Sequence, residues 1–238
     1  ADLSGARLRG CRGAGADLRR AVLREAKLQR ADLRGAKLQG AKLGGAELSG
    51  ADLGEAGMEG AVAVKAILSS AVLVGACVKR ADLRGASLLE ADLSRTDCSC
   101  AQLGEADLTR ALARDASLQW ASLQGSRLHG ADLRGASLTG CNIGNADFKG
   151  CRVLSSELEQ AADAQSARLQ LRFSELHYCG HCGKHRDVWG TWLMAERHHS
   201  ETHPELPKNL LPIGMEEGCK LAKVAADTGQ ATWAKGLE

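Results

Sequence analysis

Aromatic residues and proline are scarce in this chain. Phe, Trp and Tyr together supply seven of the 238 residues, and Pro supplies three, whereas Gly supplies 28. A core built around large aromatic side chains is therefore not expected. Collagen is excluded, because Gly does not recur at every third position. No apolar run reaches the length of a membrane-spanning helix, and no basic segment followed by an apolar run marks a signal peptide.

Charge and cysteine content further limit the possible classes of protein. Lys and Arg number 31 against 29 Asp and Glu, and 44% of the residues are hydrophobic, which excludes disorder driven by composition. Nine Cys at irregular spacing do not form the framework of a secreted disulfide scaffold, so a reducing compartment is expected. The chain begins with Ala1 rather than Met, so we expect that a targeting segment was cleaved or that upstream residues are missing.

A five-residue period organises residues 1 to 160. The pattern is Ala-Asp-Leu-x-x: the first position is Ala in 26 of 32 pentads, the third is Leu in 23, and the fifth is Gly in 15. The substitutes at the first position are all small: Cys11, Thr96, Ser126, Cys141, Cys151 and Ser156.

Each pentad is predicted to form a short strand and a corner. The first and third positions share one face of a strand, and the Gly-rich end supplies the backbone freedom that a tight turn needs. The small residue and the Leu then point inward. Cys11, Cys98, Cys141 and Cys151 occupy inward positions and are interpreted as compact apolar filler, and the outward Asp as a solvated or corner-stabilising residue.

The tandem ADLRG, ADLSG and AKLQG pentads resemble the pentapeptide-repeat family. The resemblance covers about two thirds of the chain, and in-register repetition on this scale is highly specific. It implies an all-β solenoid: a right-handed parallel β-helix of square cross-section with four pentads to a coil. Residues 1 to 160 would then give eight coils, a rod about 38 Å long at the usual spacing of strands.

The best-studied activity of this family is inhibition or protection of DNA gyrase by rods whose acidic surface resembles DNA. This chain departs from that pattern, because residues 1 to 50 carry 11 basic and 5 acidic side chains. A basic rod end is a poor mimic of a phosphate backbone. A nucleic-acid-binding or gyrase-modulating protein is therefore kept as the alternative function.

Outward apolar residues in the fourth coil predict a partner contact. Residues 61 to 80 place β-branched side chains where most coils carry polar ones, and such a girdle is expected to be covered by a partner or by the chain's own C-terminal segment. The predicted contact residues are Val62, Val64, Ile67, Val72, Val74 and Trp120. The first coil has no capping element, so its open edge is a second candidate contact.

After Val153 the sequence pattern changes. A possible capping box predicts a helix over residues 156–172 that closes the rod at 158. We expect a zinc-finger-like module over 173–206, and an extended arm with a terminal helix over 207–238. The α-helical and metal-binding character assigned to this part is a prediction from composition, because most of the His and aromatic residues lie beyond residue 172.

The spacing of Cys and His in the module predicts structural zinc. Cys179 and Cys182 form a Cys-x2-Cys pair, and His199 and His203 lie one turn apart on a predicted helix, which together resemble a Cys2His2 zinc finger with a longer gap than usual. His198, His185 and Cys219 are possible substitutes. The same Cys-Gly-His-Cys run resembles the redox motif of disulfide isomerases, which keeps a thiol oxidoreductase as a third hypothesis.

The function predicted from these features is non-catalytic. No Ser-His-Asp set, phosphate loop or pair of inward carboxylates is found in the sequence, and the module lacks the basic footprint of a nucleic-acid reader. We expect a scaffold that mediates protein–protein contacts as an accessory subunit of a larger assembly. Such repeats abound in cyanobacteria and photosynthetic organelles, so a plastid or thylakoid-associated complex is one setting, peripheral to the membrane.

Overall fold

The computed structural model describes residues 1–153, 155–158, 160–162, 167, 177–179, 188–189 and 210–212. The chain divides into two compact units, Ala1–Arg168 and Leu169–Glu238. No helix among the described residues is long and apolar enough to cross a membrane.

The first unit is a parallel ladder with a period of twenty residues. The second residue of each pentad forms a β-bridge with the residue twenty positions later, from Asp2 with Val22 to Asp132 with Arg152. Each pair of neighbouring coils is joined by two kinds of backbone bond: Leu3 N donates to Val22 O at 2.7 Å, and Val22 N donates to Ala1 O at 2.9 Å. The four-sided β-helix with four pentads to a coil is thus confirmed.

Coils and sides are numbered from the start of the sequence. Coil 1 is residues 1–20, coil 2 is residues 21–40, and so on. Side one contains the first pentad of every coil, side two the second, side three the third and side four the last. The fourth and fifth residues of each pentad form the turn at the corner that follows.

The core consists of the first and third positions, as the spacing predicts. Nearly every Ala and Leu at these positions from Ala21 onward is less than 5% exposed, and Val153 is 5% exposed. Apart from exposed Ala1, the inward side chains of coil 1 are half-buried, because no described coil lies above them. Buried Thr96 satisfies its hydroxyl by donating to Leu73 O at 2.8 Å, and Ser126 donates to Leu123 O at 2.6 Å.

The corners require a left-handed backbone at the fifth position. Every fifth residue from Gly5 to Gly150 has a φ between 55° and 75°. Glycine adopts this conformation without steric cost, which accounts for its frequency there. Fifteen of these positions carry other residues, so the solenoid imposes the conformation even where the side chain disfavours it.

After Leu158 the described residues do not follow the predicted helix over residues 156–172, of which residues 159, 163–166 and 168–172 lie outside the described part of the chain. Helix α1 spans Ser155–Leu158, and Ala162 then forms a β-bridge with Asn142. The reason is that the pentad register continues past Val153: Leu158, at a third position, is 1% exposed, and Ala162 N donates to Cys141 O at 2.7 Å. Helix α1 replaces one side of the eighth coil rather than capping it.

The second unit contains a small antiparallel sheet. Strands β1 (His177–Cys179), β2 (Val188–Trp189) and β3 (Leu210–Pro212) are ordered β2-β1-β3. His177 pairs with Trp189 and Pro212, and Cys179 pairs with Leu210. Strand β3 lies within the predicted arm of 207–238. The rest of that arm, the predicted terminal helix and the rest of the predicted module lie outside the described residues.

Outward Asp residues stabilise the corners. At many second positions the carboxylate accepts the backbone N–H two residues on, as in Asp92 with Ser94 at 2.9 Å. Where Arg follows at the fourth position, its guanidinium binds the same carboxylate. Asp132 is the most buried of these carboxylates, with 5% of its side chain exposed, and it binds both Arg134 and Arg114 at 2.7–2.8 Å. These bonds hold the pKa of Asp132 well below its ordinary value of 3.8.

We predict that Asp132→Asn removes a charge-dependent part of the stability. Asn can keep the corner bond, as Asn142 does with Gly144 N at 2.9 Å, but it does not attract two guanidinium groups. The expected loss at pH 7 is about 1.5–3 kcal/mol, the range for hydrogen bonds to charged groups. Because folding lowers the pKa of Asp132, its charged carboxylate stabilises the fold at pH values above the ordinary pKa of 3.8. The difference in free energy of unfolding between wild type and variant should therefore narrow as the pH falls below 3.8.

Denaturation midpoints measured from pH 7 down to pH 2.5 check this prediction. Asp92→Asn is the matched control, because Asp92 makes the same corner bond and forms no ion pair within the described residues. A loss for Asp132→Asn that does not change with pH would contradict the electrostatic explanation.

Candidate functional site

The girdle of coil 4 is exposed in the structure. Val62, Ile67 and Val72 occupy the second positions of three successive sides and are 42%, 41% and 39% exposed. Val64 and Val74, at fourth positions, are half-buried. These side chains point outward because the corner geometry fixes the second and fourth positions on the outer surface, so their exposure follows from the fold.

Three further large apolar side chains are exposed elsewhere on the rod. Leu89 and Leu112 are 38% and 39% exposed, and Trp120 is 66% exposed. Sequence reasoning did not single out Leu89 as a contact residue, although its outward fourth position signals it. The exposed apolar residues therefore extend from coil 4 into coils 5 and 6.

Trp120 is held at a corner by the coil below it. Its φ is 58°, an uncommon value for a bulky side chain, and its indole covers Gly140 at the same corner of coil 7. A Cβ placed on Gly140 would lie 2.6 Å from Cζ3 and 2.7 Å from Cδ2 of Trp120. The glycine therefore provides the space in which the indole lies, and the ring is exposed in a defined position.

Positive charge is concentrated in coils 1 and 2. Residues 1–40 contain ten Lys and Arg against four Asp and Glu. Arg19, Lys27 and Arg34 form ion pairs with carboxylates. The other basic residues of these two coils have no carboxylate within 4 Å in the described part of the chain: Arg7, Arg9, Arg12, Arg20, Arg24, Arg30 and Lys37.

A polar groove of about 610 Å³ follows the corner between sides one and two. It exists because glycine occupies corner positions in successive coils, including Gly85, Gly104 and Gly125. The neighbouring side chains fold over these glycines: Cγ of Lys65 lies 3.5 Å from the Cβ position of Gly85, and Cγ of Glu105 lies 3.8 Å from that of Gly125. The groove offers charges of both signs rather than one chemical class of ligand.

The inward cysteines are buried, as the sequence predicts. Cys98 is 1% exposed and Cys141 and Cys151 are fully buried, whereas Cys11 is half-buried in coil 1. Burial raises the pKa of the Cys98 and Cys141 thiols to about 12. A protonated thiol is a poor nucleophile and a poor metal ligand, so these residues act as apolar filler.

The predicted zinc ligands are not tested by the structure. Cys179 ends strand β1, and Cys182, His185, His198, His199, His203 and Cys219 lie outside the described residues. Within the part of the chain that is described, no group of three His, Cys, Asp or Glu residues could hold a metal ion.

The fold and its repeats place the chain among known proteins. The chain belongs to the pentapeptide-repeat family: the family model for pentapeptide repeats matches eight copies, over residues 1–40, 46–85, 78–110 and 114–152. The fold of this family is the right-handed β-helix that the sequence resemblance implies. No curated protein matches the chain.

Several solved structures are similar to this chain. HetL, a pentapeptide-repeat protein involved in regulation of heterocyst differentiation in the cyanobacterium Nostoc, is 32% identical over 73% of this chain and 81% of its own, with a TM-score of 0.41. A thylakoid-lumen protein of Arabidopsis thaliana is 26% identical over 51% of this chain and 74% of its own, at 0.22. The plasmid-mediated fluoroquinolone resistance protein QnrB1 is 19% identical over 66% and 91%, at 0.31.

We predict that Gly140→Ala destabilises the rod more than Gly60→Ala. Both glycines have a left-handed φ, 64° and 62°, so both substitutions carry a backbone cost of about 1–2 kcal/mol. Only the Cβ at 140 would also displace the Trp120 indole, because nothing lies within 4 Å of the Cβ position at 60. Denaturation midpoints and near-ultraviolet circular dichroism check the difference. Equal losses and unchanged aromatic spectra would show that the indole does not depend on Gly140.

Proposed function

We propose that this protein is a non-catalytic scaffold that mediates protein–protein contacts as an accessory subunit of a larger assembly. The observation that carries the proposal is the girdle: Val62, Ile67 and Val72 are each about two fifths exposed at second positions, where polar residues prevail in other coils. Three β-branched side chains exposed in one coil are more than the scattered single apolar residues of an ordinary surface.

The chemistry of the described residues supports a binding role. The inward thiols of Cys98 and Cys141 are held protonated by burial. The most buried carboxylate, Asp132, is bound by two guanidinium groups and is not positioned to exchange protons near neutral pH. Proteins of this family are generally structural or regulatory, and the similar protein HetL is involved in a regulatory process. A plastid location remains a proposal, to which the similarity to a thylakoid-lumen protein lends support.

The combined substitution of Val62, Ile67 and Val72 by Ser is predicted to abolish partner capture while leaving the fold intact. The three side chains point outward, so their replacement removes apolar contact surface and creates no cavity. Purified wild-type and variant chains, immobilised in parallel, would be exposed to native extract and the retained proteins compared by mass spectrometry.

Replacement of Gln102, Ser122 and Ser137 by Ala is the matched control for this experiment, because these residues occupy the same outward second position in coils 6 and 7. The scaffold proposal fails if the wild type retains no protein that the girdle variant loses, or if the control variant loses the same protein.

The alternative function is nucleic-acid binding or modulation of gyrase. QnrB1, at 19% identity, shows a shared fold only, and its resistance activity is not transferred by the similarity. The specific observation that favours the alternative is the excess of unpaired arginine in coils 1 and 2. Inhibition of gyrase supercoiling at micromolar protein, or DNA binding that weakens steeply with salt, would favour it over a scaffold.

We further propose that the second unit binds structural zinc through Cys179, Cys182, His199 and His203, with His198, His185 or Cys219 as possible substitutes. Residues 180 to 187, which include Cys182, link the antiparallel strands β1 and β2. Cys179 is the last residue of β1, and two cysteines separated by two residues are a spacing common to structural zinc sites. Zinc bound by four such ligands would stabilise a unit whose described sheet is too small to provide much of a core.

Elemental analysis tests the zinc proposal. We expect about one zinc per wild-type chain, a clear loss in Cys179→Ser and in His203→Ala, and no loss in Cys100→Ser, whose thiol is exposed on the repeats. Less than half an equivalent in the wild type would contradict the proposal. Reduction of insulin that disappears in Cys179→Ser would instead support the thiol oxidoreductase hypothesis.

A further inference from the structure

Side two carries unneutralised arginines at its upper end. Arg7 and Arg9 in coil 1 and Arg30 in coil 2 are exposed, and none has a carboxylate within 4 Å in the described part of the rod. The nearest acidic residue below them on this side is Glu47, which is already engaged: it binds Lys27 Nζ at 2.6 Å and accepts a second bond from Gln29. The three guanidinium groups are therefore free to bind an external anion.

Two exposed apolar residues lie lower on the same side. Ile67 in coil 4 is 41% exposed and Leu89 in coil 5 is 38% exposed. The intervening outward positions are small: Ser69 and Ser87 bind each other through their hydroxyls at 3.0 Å. Small side chains beside the two aliphatic ones leave this part of the side open to an approaching chain.

In coils 5 to 7 the charges of side two are paired. Arg110 binds Glu90 at 3.2 Å and Arg127 binds Asp107 at 3.3 Å. Over coils 1 to 7 of side two, the unbalanced positive charge thus lies in coils 1 and 2 and is followed by an apolar segment. A nucleic-acid backbone would gain nothing from Ile67 and Leu89, whereas a protein segment with both acidic and apolar residues would use both parts.

We propose that side two of coils 1 to 5 binds an extended protein segment that carries Asp or Glu near one end and an aliphatic side chain further along. Two coil spacings, about 10 Å, separate the level of Arg30 from that of Ile67. An extended chain advances about 3.3 Å per residue, so about three residues separate the acidic position from the aliphatic one. This assignment rests on the proposed scaffold function and specifies the partner that one side of the rod accepts.

The backbone at the corner restricts the side chain of Arg30. Its φ of 57° and the contact of its stem with Gly50, where Cγ lies 3.6 Å from the Cβ position, restrict the side chain before any partner binds. Restricting a long side chain in advance reduces the entropy lost on binding. Arg20 has the same geometry on another corner, with a φ of 55° and Cγ 3.6 Å from the Cβ position of Gly40.

The test is a selection of displayed random 12-residue peptides on the immobilised full chain, followed by affinity measurements with synthetic copies. We expect enriched peptides to carry clustered Asp or Glu with Leu, Ile or Val about three residues away. Arg30→Glu and Ile67→Asp should each weaken binding at least tenfold.

Two matched variants control for charge and exposure. Arg20→Glu reverses the charge of an equivalent fifth-position arginine, and Leu112→Asp alters a residue of side three that is 39% exposed beside 41% for Ile67. Both controls should keep the affinity within twofold of wild type. Thermal denaturation of all four variants establishes that each is folded.

The other outcomes overturn the proposal, and they separate it from the scaffold function. If Arg20→Glu and Arg30→Glu weaken peptide binding equally, or if a 20-base-pair DNA duplex displaces the peptides, the binding is unspecific attraction between polyanions and the basic surface. Peptides whose binding is lost in Leu112→Asp but kept in Ile67→Asp leave the scaffold function standing and refute the assignment to side two. Failure to enrich any acidic and aliphatic pattern refutes the proposed partner chemistry.

Discussion

A left-handed residue at every fifth position is the constraint on which this rod depends. It turns the chain by one corner, so that four pentads close a coil and the twenty-first residue lies directly below the first. The backbone ladder then forms without further adjustment, as in the bond from Val22 N to Ala1 O. Neighbouring coils supply the hydrogen bonds that offset the unfavourable φ of fifteen non-glycine corners. Stability is distributed along the ladder rather than concentrated in one core.

The same constraint divides each pentad into positions that specify the fold and positions that are free. First and third positions must be small and aliphatic, because they face across a narrow interior. Second, fourth and fifth positions tolerate Asp, Arg, Val or Trp alike, since each points outward whatever its chemistry. Residues such as Ile67 and Trp120 therefore contribute little to folding, and their apolar character is a candidate mark of binding.

Most of the rod could be predicted from the sequence because its period is local and repeated. The inward Ala and Leu positions and the exposed girdle at Val62, Ile67 and Val72 follow from position in the pentad alone. Among the described residues, only the first turn of the predicted helix at 156–172 is helical, because helical spacing and pentad spacing coincide over one turn: Leu158 satisfies both. Cross-coil ion pairs, such as that of Arg114 with Asp132, were beyond sequence reasoning, since they join residues eighteen positions apart.

Two kinds of ion pair nevertheless follow from position in the pentad. An Arg at a fourth position is neutralised where Asp occupies the second position of the same pentad, as in Asp82 with Arg84. An Arg at a fifth position is neutralised where an acidic residue occupies the fifth position one coil earlier, as in Glu90 with Arg110.

Arg9 follows Arg7 in its pentad, and Arg30 lies below Gly10, so neither arginine has such a partner. The positions of the acidic residues thus determine which guanidinium groups form ion pairs within the rod and which are available to bind a partner. Side two contains no Asp in the first two coils.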